Sequence, residues 1–249
     1  MTNWLSIRQS LPKEIQLVAV SKYHPIEQIA EAYSDGCRDF GESRVQELKL
    51  KQAALPKDIR WHFIGHLQTN KVRELLRLRP HLIQSVDSEH LLRAINNEAA
   101  KQGFVQDVLL ELHVAREETK SGLTPDELCA LLSIIHVEPL SNIRICGLMA
   151  MATNTDDEQE IRRCFHEVRC LYDQTIGKAA NEKMATLSMG MSDDYMIAIS
   201  EGSTMVRLGS IIFGENNKKT HKHEQDTYSF HPHHSHSPHS LCRSTDGIR

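Results

Sequence analysis

Short apolar runs alternate with longer amphipathic stretches along most of the chain. The first apolar run, LVAV at 17–20, is rich in β-branched valine and predicts a strand that is buried on both faces, as in a parallel sheet. The stretch after Pro25 has apolar residues at three- and four-residue spacing, which predicts a helix that ends at Gly36. The same alternation continues to residue 214. The predicted strands are 17–20, 38–43, 61–65, 81–87, 107–114, 143–150, 186–190 and 204–214.

Eight strands with a helix between each successive pair predict an α/β fold. Such alternation requires right-handed parallel crossovers, and eight of them close a single (β/α)8 TIM barrel. An open doubly wound sheet is the alternative. We predict a barrel domain over residues 1–215, preceded by a short amphipathic helix at 3–10. Barrels carry their active sites at the carboxyl ends of the strands, where Lys22 follows the first strand.

Residues 216–249 differ in composition from the rest of the chain. They contain seven histidines, many serines and two prolines but very few aliphatic residues, so they cannot bury a core. We predict a disordered His/Ser-rich tail without a defined function. A tract of this kind can also bind a transition metal adventitiously.

The composition belongs to a globular protein, with 40% hydrophobic and 25% charged residues. A net charge of −4 carries no basic bias, so we expect no nucleic-acid partner. The N-terminus lacks the apolar core of a signal peptide, and no run of about 18 apolar residues exists to span a membrane. We therefore expect a cytoplasmic monomer without a membrane partner. The six cysteines form no CxxC pair and are interpreted as reduced thiols.

Lys22 is the first candidate for chemistry. A lysine at the end of a core strand is partly desolvated, and desolvation lowers the pKa of an amine and makes it a better nucleophile. Such an amine can condense with an aldehyde or ketone to form a Schiff base. The alternative is a lysine whose side chain simply extends to solvent.

Two segments near the last two strands have the composition of an anion site. Ser188, Gly190 and Ser192 follow strand seven, and Arg207, Gly209 and Ser210 lie at the end of strand eight. In barrels these two loops frequently bind phosphate, because glycines allow a close backbone approach and serines donate hydrogen bonds. Each segment alone is equally compatible with an ordinary turn. Together with Lys22 they predict a phosphorylated aldehyde as ligand, and pyridoxal 5'-phosphate (PLP) fits best.

The segment HFIGHLQTNK carries two further sets of polar residues. His62 and His66 lack the helical spacing of a zinc pair, so we interpret them as structural histidines. Gln68, Asn70 and Lys71 follow the third predicted strand, and two interpretations are open. They contact a ligand or a partner, or they cap the next helix and carry a solvated charge.

Several motifs together are similar to those of the YggS/PROSC family of pyridoxal phosphate homeostasis proteins. The resemblance covers about residues 5–215, with the motifs in order and at compatible spacing. The motifs are AVSK at 19–22, FGES at 40–43, VQE at 45–47, HFIGHLQTNK at 62–71, KSG at 120–122, GLMA at 147–150, LSMGMSDD at 187–194 and GSTMVRLGSIIFG at 202–214.

The resemblance implies the alanine racemase N-terminal barrel, of PLP fold type III, standing alone. It implies that Lys22 is the covalent attachment site of PLP and that Arg207 approaches the pyridine nitrogen. It also implies further cofactor contacts. These are Ser188, Gly190, Gly209 and Ser210 about the phosphate, and Asn70 and Met149 along the pocket.

The function that the resemblance implies is non-catalytic: the protein holds PLP as a Schiff base and delivers it to apoenzymes that need it. An amino-acid racemase is the alternative, but it requires two bases on opposite faces of the substrate, for which Tyr195 or His66 are the candidates. A Schiff-base aldolase explains the lysine and the phosphate but not the motifs. The sequence departs from the family at Ser43, where asparagine is usual, and at Ser210, which is often threonine.

Overall fold

The computed structural model describes residues 2–117, 121–175 and 185–214. Within these residues eight parallel strands form one closed barrel, and their spatial order follows the sequence. The predicted (β/α)8 barrel is therefore confirmed, and the open doubly wound sheet is excluded. The predicted tail at 216–249 and the predicted domain boundary at 215 lie outside the described residues.

A helix separates each strand from the next. The strands are β1 (Gln16–Val20), β2 (Asp39–Glu42), β3 (Arg60–Phe63), β4 (Leu82–Val86), β5 (Gln106–Leu112), β6 (Ile143–Ala150), β7 (Thr186–Ser188) and β8 (Met205–Leu208). The helices are α1 (Trp4–Ser10), α2 (Ile26–Ser34), α3 (Val45–Ala54), α4 (Thr69–Arg77), α5 (Glu89–Gln102), α6 (Pro125–Val137), α7 (Glu158–Gln174), α8 (Tyr195–Ser200) and α9 (Ser210–Phe213).

Helices α5, α6 and α7 each begin at a capping side chain. Ser88 accepts a hydrogen bond from the Leu91 amide at the start of α5, and Asp157 caps α7. Thr124 and Glu127 form a reciprocal capping box at the start of α6. Each cap satisfies amide groups that the first turn of a helix leaves without a partner.

The last strand is shorter than predicted. β8 ends at Leu208, whereas the prediction extended it to residue 214, and Ser210–Phe213 form α9 instead. This short helix buries Ile212 and Phe213 in the core. A short apolar run can bury its side chains as a strand or as a helix, and periodicity alone does not separate the two.

Side chains of the strands alternate between the inside of the barrel and the surrounding helices. The larger apolar cluster includes Ala19 of β1 and Val206 of β8, which face the helices. Buried polar residues share the inside of the barrel with a smaller apolar cluster, and Gln84 and Arg207 are among them. The smaller cluster consists of Val18, Leu82, Leu109, Cys146, Met149 and Met205.

None of the helices in the described part of the chain is long and apolar enough to cross a bilayer. Across the same residues, no group of three or more His, Cys, Asp or Glu side chains could hold a metal ion. The cysteines that the structure describes carry free thiols, namely Cys37, Cys129, Cys146, Cys164 and Cys170.

Candidate functional site

A cavity of about 300 Å³ opens at the carboxyl end of the barrel. Its walls come from the ends of β1, β3, β6, β7 and β8 and from the segments that follow them. It brings together Lys22, Arg207, Gly209 and Ser210 from opposite ends of the sequence. The lining residues are Val20, Lys22, His24, Ile64, Met151, Met191, Ser192, Asp193, Arg207, Gly209, Ser210 and Gly214.

Lys22 lies two residues beyond the end of β1, and its side chain is exposed at the cavity. The expectation that this lysine is partly buried is therefore wrong. β1 is buried only as far as Ser21, and the chain then turns at the open mouth of the barrel. The amine is accessible to a ligand that enters from solvent.

The backbone on both sides of Lys22 is held by charged and polar side chains, of which Lys51 and Glu42 are buried and Glu47 is half-buried. The Lys51 ammonium donates to the Ser21 carbonyl oxygen at 2.7 Å, and the Ser21 hydroxyl donates to Glu42 Oε1 at 2.6 Å. On the other side, the Tyr23 amide donates to Glu47 Oε2 at 3.0 Å. These contacts restrict the position from which the Lys22 side chain enters the cavity.

Tyr23 adopts a left-handed backbone conformation, with φ of 66°. A bulky residue with positive φ is uncommon and requires support from its surroundings. The Glu47 carboxylate supplies that support, and Lys51 also donates to Glu47 at 3.4 Å. Although burial favours the neutral carboxyl, the Tyr23 amide and the Lys51 charge lower the pKa of Glu47.

The loop after β7 owes its shape to Gly190. This residue has φ of +94°, and an added Cβ would lie 2.7 Å from the Ala198 Cβ and 2.8 Å from the Tyr195 Cα. The Gly190 carbonyl oxygen accepts a hydrogen bond from the Arg207 amide at 3.0 Å. Gly190 therefore shapes the cavity from behind its wall.

Gly209 and its neighbours form the wall that the sequence predicts for a phosphate. The Gly209 amide donates to the Ser192 hydroxyl at 3.3 Å, and both residues line the cavity beside Ser210. A Cβ at Gly209 would lie 3.3 Å from the Cβ and the carbonyl oxygen of Val20, which is tighter than most real contacts. The close approach of β8 to β1 thus favours glycine here.

Arg207 is a buried cation at the inner wall of the cavity, with 4% of its surface exposed. Its Nη1 donates to the carbonyl oxygen of Ser188 at 2.9 Å and to the Ser188 hydroxyl at 2.6 Å. Its Nη2 donates to the Ala150 carbonyl oxygen at 3.1 Å. Burial lowers the pKa of Arg207 to about 10, so the guanidinium stays charged at neutral pH.

The other predicted contact residues lie farther from the cavity lining. Ser188 is fully buried behind Arg207, and Met149 belongs to the apolar cluster inside the barrel. Asn70 is exposed in the first turn of α4. Met151, two residues beyond Met149, lines the cavity. The contacts of Asn70 and Met149 with a cofactor remain predictions.

Sequence reasoning missed several residues that shape the site. His24 lines the cavity with its ring centroid 4.8 Å from that of Phe213, at an interplanar angle of 34°, and burial lowers the pKa of this histidine. Lys51, Glu42 and Glu47 hold the segment around Lys22. The signal for Glu42 and Glu47 was present, since they belong to the FGES and VQE motifs, but no local pattern singles out Lys51.

Comparison with known proteins extends over most of the chain. A family model described as alanine racemase, N-terminal domain, matches residues 1–217. The pyridoxal phosphate homeostasis protein of Aquifex aeolicus (strain VF5) is 41% identical over 201 residues, which are 80% of this chain and 86% of that protein. A protein of the same name from Bos taurus is 39% identical over 221 residues, with 83% of this chain and 80% of the relative covered.

Solved structures agree with the sequence relatives. PipY of Synechococcus elongatus PCC7942 without PLP superposes with a TM-score of 0.78 at 37% identity, covering 84% of this chain and 97% of PipY. The PLP-bound form of PipY gives a TM-score of 0.75 at 36% identity, with the same cover. Alanine racemase from E. faecalis has a TM-score of 0.65 at 15% identity, covering 86% of this chain and 57% of the racemase, and shows the shared fold alone.

Motifs, barrel topology and relatives that match four-fifths of the chain at about 40% identity all lead to one assignment. The chain belongs to the pyridoxal phosphate homeostasis protein family, which is built on the alanine racemase N-terminal barrel.

Proposed function

We propose that this protein binds PLP and holds it as a Schiff base on Lys22, in a non-catalytic role in PLP homeostasis. The observation that carries the proposal is that one cavity joins an accessible amine to a buried guanidinium and a wall of small polar residues. Those groups fit a ligand with an aldehyde, an aromatic nitrogen and a phosphate. The PLP-bound structure of PipY supports the same ligand.

Lys22 supplies the covalent anchor. Its amine adds to the aldehyde carbon of PLP, a C=N bond replaces the C=O bond, and the carbonyl oxygen leaves as water. The hydrogen bonds to Ser21 and Tyr23 hold the backbone at either side of this lysine. An anchored backbone reduces the conformational entropy that the lysine loses on binding.

The glycine- and serine-containing wall holds the phosphate in this proposal. The hydroxyls of Ser192 and Ser210 are donors that suit phosphate oxygens, and the Gly209 amide, which donates to the Ser192 hydroxyl, leaves the Ser192 proton for the ligand. Gly190 keeps the loop after β7 in the conformation that places Ser192 at the cavity.

Arg207 determines what the bound cofactor can do. A permanent cation beside the pyridine nitrogen disfavours protonation of that nitrogen and weakens the ring as an electron sink. The buried guanidinium remains a cation at neutral pH. This favours retention of the cofactor over removal of a substrate proton, and it supports the non-catalytic role.

The racemase alternative requires two bases at the bound substrate. His66, one of the two candidates, is largely exposed, with its Nδ1 3.2 Å from Asp87 Oδ2. Tyr195, the other, packs against the core at the start of α8. These placements favour a carrier, and an assay for alanine racemisation by the PLP-loaded protein would reveal the enzyme if the inference is wrong.

We infer a cytoplasmic monomer that delivers its cofactor to apo forms of PLP-dependent enzymes, with residues 1–215 as the binding domain and 216–249 as a His/Ser-rich tail without a defined function. A carrier of this kind needs an accessible anchor, and the exposure of Lys22 supports this. Transfer from the purified PLP-loaded protein to a PLP-free enzyme, followed by the return of that enzyme's activity, measures delivery.

The primary test is an absorbance spectrum of the purified protein with added PLP, followed by borohydride reduction and peptide mapping. We expect a yellow protein that is reduced irreversibly at Lys22. Lys22→Ala should lose the adduct, whereas Lys57→Ala, at an exposed lysine in the segment before β3, should keep it. A colourless wild type, or a normal adduct in Lys22→Ala, would contradict the proposal.

A further inference from the structure

A chain of buried polar side chains crosses the inside of the barrel and ends at Arg207. From Arg207 Nη1, the distance to Ser188 Oγ is 2.6 Å, and from Ser188 Oγ to Gln84 Oε1 it is 2.7 Å. Gln84 Nε2 lies 3.0 Å from His62 Nδ1, and His62 Nε2 lies 3.1 Å from Asp39 Oδ1. Four strands contribute before β8, so the chain connects β2 to the cavity through β3, β4 and β7.

The far end of this chain is anchored at the opposite side of the barrel. Asp39 is the first residue of β2, and its carboxylate accepts from Arg60 Nε at 2.7 Å and from Arg60 Nη2 at 2.5 Å. Although burial opposes ionisation, the hydrogen bonds from His62 and Arg60 hold the pKa of Asp39 well below its usual range. The anchor is therefore a carboxylate at neutral pH, and it can only accept hydrogen bonds.

The two ends, together with the orientation of the Gln84 amide in the structure, give one direction to every hydrogen bond between them. Arg207 can only donate, so the Ser188 hydroxyl accepts a hydrogen bond from it and donates its own hydrogen bond to the Gln84 side-chain oxygen. The Gln84 amide then donates to His62 Nδ1, and His62 donates from Nε2 to Asp39. In this arrangement His62 accepts at Nδ1 and donates from Nε2.

Gln84 is the residue that maintains this direction. Its Nε2 also donates to the Met205 Sδ at 3.3 Å. Rotation of the amide by 180° would turn its oxygen toward two acceptors, His62 Nδ1 and the Met205 sulfur. The rotated amide would also point its NH₂ group at Ser188, whose hydroxyl proton would then lose Gln84 Oε1 as its acceptor. The orientation in the structure gives each of these groups a complementary partner.

We propose that Gln84 and His62 are positioning residues for Arg207, and that through Ser188 they set the affinity of the cavity for PLP and the absorbance of the bound cofactor. Neither residue lines the cavity as the described residues define it, and both are fully buried. The inference rests on the proposed function, because Arg207 is the group that faces the pyridine ring there.

Gln84 can act on Arg207 because a guanidinium can rotate if the groups that accept its hydrogen bonds move. Arg207 is held by the carbonyl oxygens of Ser188 and Ala150 and by the Ser188 hydroxyl. Among the described residues, Gln84 Oε1 is the only acceptor of the Ser188 hydroxyl, so without Gln84 this hydroxyl turns toward a different acceptor. The Arg207 guanidinium then loses a fixed hydrogen-bond acceptor, and a buried polar group that lacks its partner is costly.

The test compares two buried glutamines in the same barrel. Gln84→Met removes the link, whereas Gln106→Met removes a buried amide of β5 that donates to Pro80 and Asp107 carbonyl oxygens and does not contact Arg207. We expect Gln84→Met to raise the Kd for PLP about fivefold to tenfold and to shift the absorbance maximum of the adduct. Gln106→Met should stay within about twofold of the wild type.

A double-mutant cycle distinguishes positioning from a general loss of structure. If Gln84 acts through Arg207, Gln84→Met should change the Kd less than about twofold in an Arg207→Gln background. An equal effect of Gln84→Met in both backgrounds, or an equal effect of Gln106→Met, would overturn the proposal.

His62 provides a second test if Gln84→Met fails to fold. The amide of a glutamine at position 62 can accept from Gln84 and donate to Asp39, so His62→Gln should retain near-normal affinity. His62→Leu can do neither and should behave as Gln84→Met does. Equal affinities for the two His62 variants would overturn the proposal.

A measurement on the cofactor-free protein separates this inference from the proposed function. The ¹⁵N chemical shifts of His62 should show a protonated Nε2 and an accepting Nδ1, and Gln84→Met should move the Nδ1 resonance. This result does not depend on PLP. Failure of the wild type to form an adduct would refute the proposed function, while the opposite tautomer at His62 would refute the directed chain itself.

Discussion

Lys51 is a buried cation whose removal should destabilise the protein strongly. Its Nζ lies 2.7 Å from Glu42 Oε1 and 2.7 Å from the Ser21 carbonyl oxygen, and the exposed fractions of Lys51 and Glu42 are 6% and 0%. Lys51→Met keeps most of the side-chain volume but removes the charge. The Glu42 carboxyl then stays buried without its cation, and the Ser21 carbonyl loses a donor.

The expected cost follows from this geometry. Removal of one partner from a buried ion pair costs about 3–5 kcal/mol, because the remaining charge is uncompensated. Burial raises the pKa of Glu42 and so favours its neutral form, which relieves part of the penalty and places the expected cost near the lower bound. A loss of about 3 kcal/mol is a large part of the 5–15 kcal/mol typical of a domain.

Urea unfolding monitored by circular dichroism measures this loss. Lys49→Met is the matched control, since Lys49 is an exposed lysine on the same helix, and it should change the free energy of unfolding by less than about 0.5 kcal/mol. The double variant Glu42→Gln with Lys51→Met removes both charges and should recover about half of the loss.

Two results would refute this reasoning. The first is a loss below about 1 kcal/mol in Lys51→Met, which would mean that the pair contributes no more than an exposed ion pair. The second is a double variant as unstable as the sum of its single variants, because additivity would show that the two residues do not interact.

Two further predictions concern the inside of the barrel and the loop after β7. Burial, reinforced by the charge of Asp87 and opposed by Arg207, raises the pKa of Glu111 to about 7 from 4.5, so the folded protein binds this proton more tightly than the unfolded chain. The wild type therefore loses stability as the pH rises from about 4.5 to 7. Glu111→Gln should raise the free energy of unfolding by about 3 kcal/mol at pH 8 but by little at pH 4.5. An equal gain at both pH values, measured by urea unfolding, would contradict this prediction. Gly190→Ala should lower the free energy of unfolding by more than about 2 kcal/mol, because Gly190 has φ of +94° and an added Cβ would clash with Ala198 and Tyr195. Unchanged thermal unfolding and unchanged PLP affinity would contradict this prediction and show that the loop adapts.

Part of the candidate site could be predicted from the sequence. Lys22, Arg207, Gly209 and Ser210 were predicted to meet because carboxyl ends of parallel strands share one face of a barrel, and all four line one cavity. Ser188 and Gly190 lie behind Arg207, where they hold it in place. The exposure of Lys22 was predicted wrongly although the strand end at Val20 was predicted correctly, because the burial of a residue beyond the strand depends on how the chain turns at the mouth of the barrel.

The sequence by itself determined the barrel, because the alternation of strand and helix is a local pattern of apolar spacing, and eight such units can close only a few ways. It also determined the chemical groups at the strand ends. It did not determine the structure of Ser210–Phe213: the predicted strand continued through these residues, which form a helix, because a short apolar run suits both.

Only the tertiary structure decided which buried polar groups meet. Lys51 reaches Ser21 across 30 positions, and Ser188 reaches Gln84 across 104. No local spacing encodes such contacts, because they arise when strands close into a ring and each buried donor must find an acceptor. The sequence therefore specified Lys22, Arg207, Gly209 and Ser210 as cavity residues, and the closure of the barrel specified the groups that hold them in position.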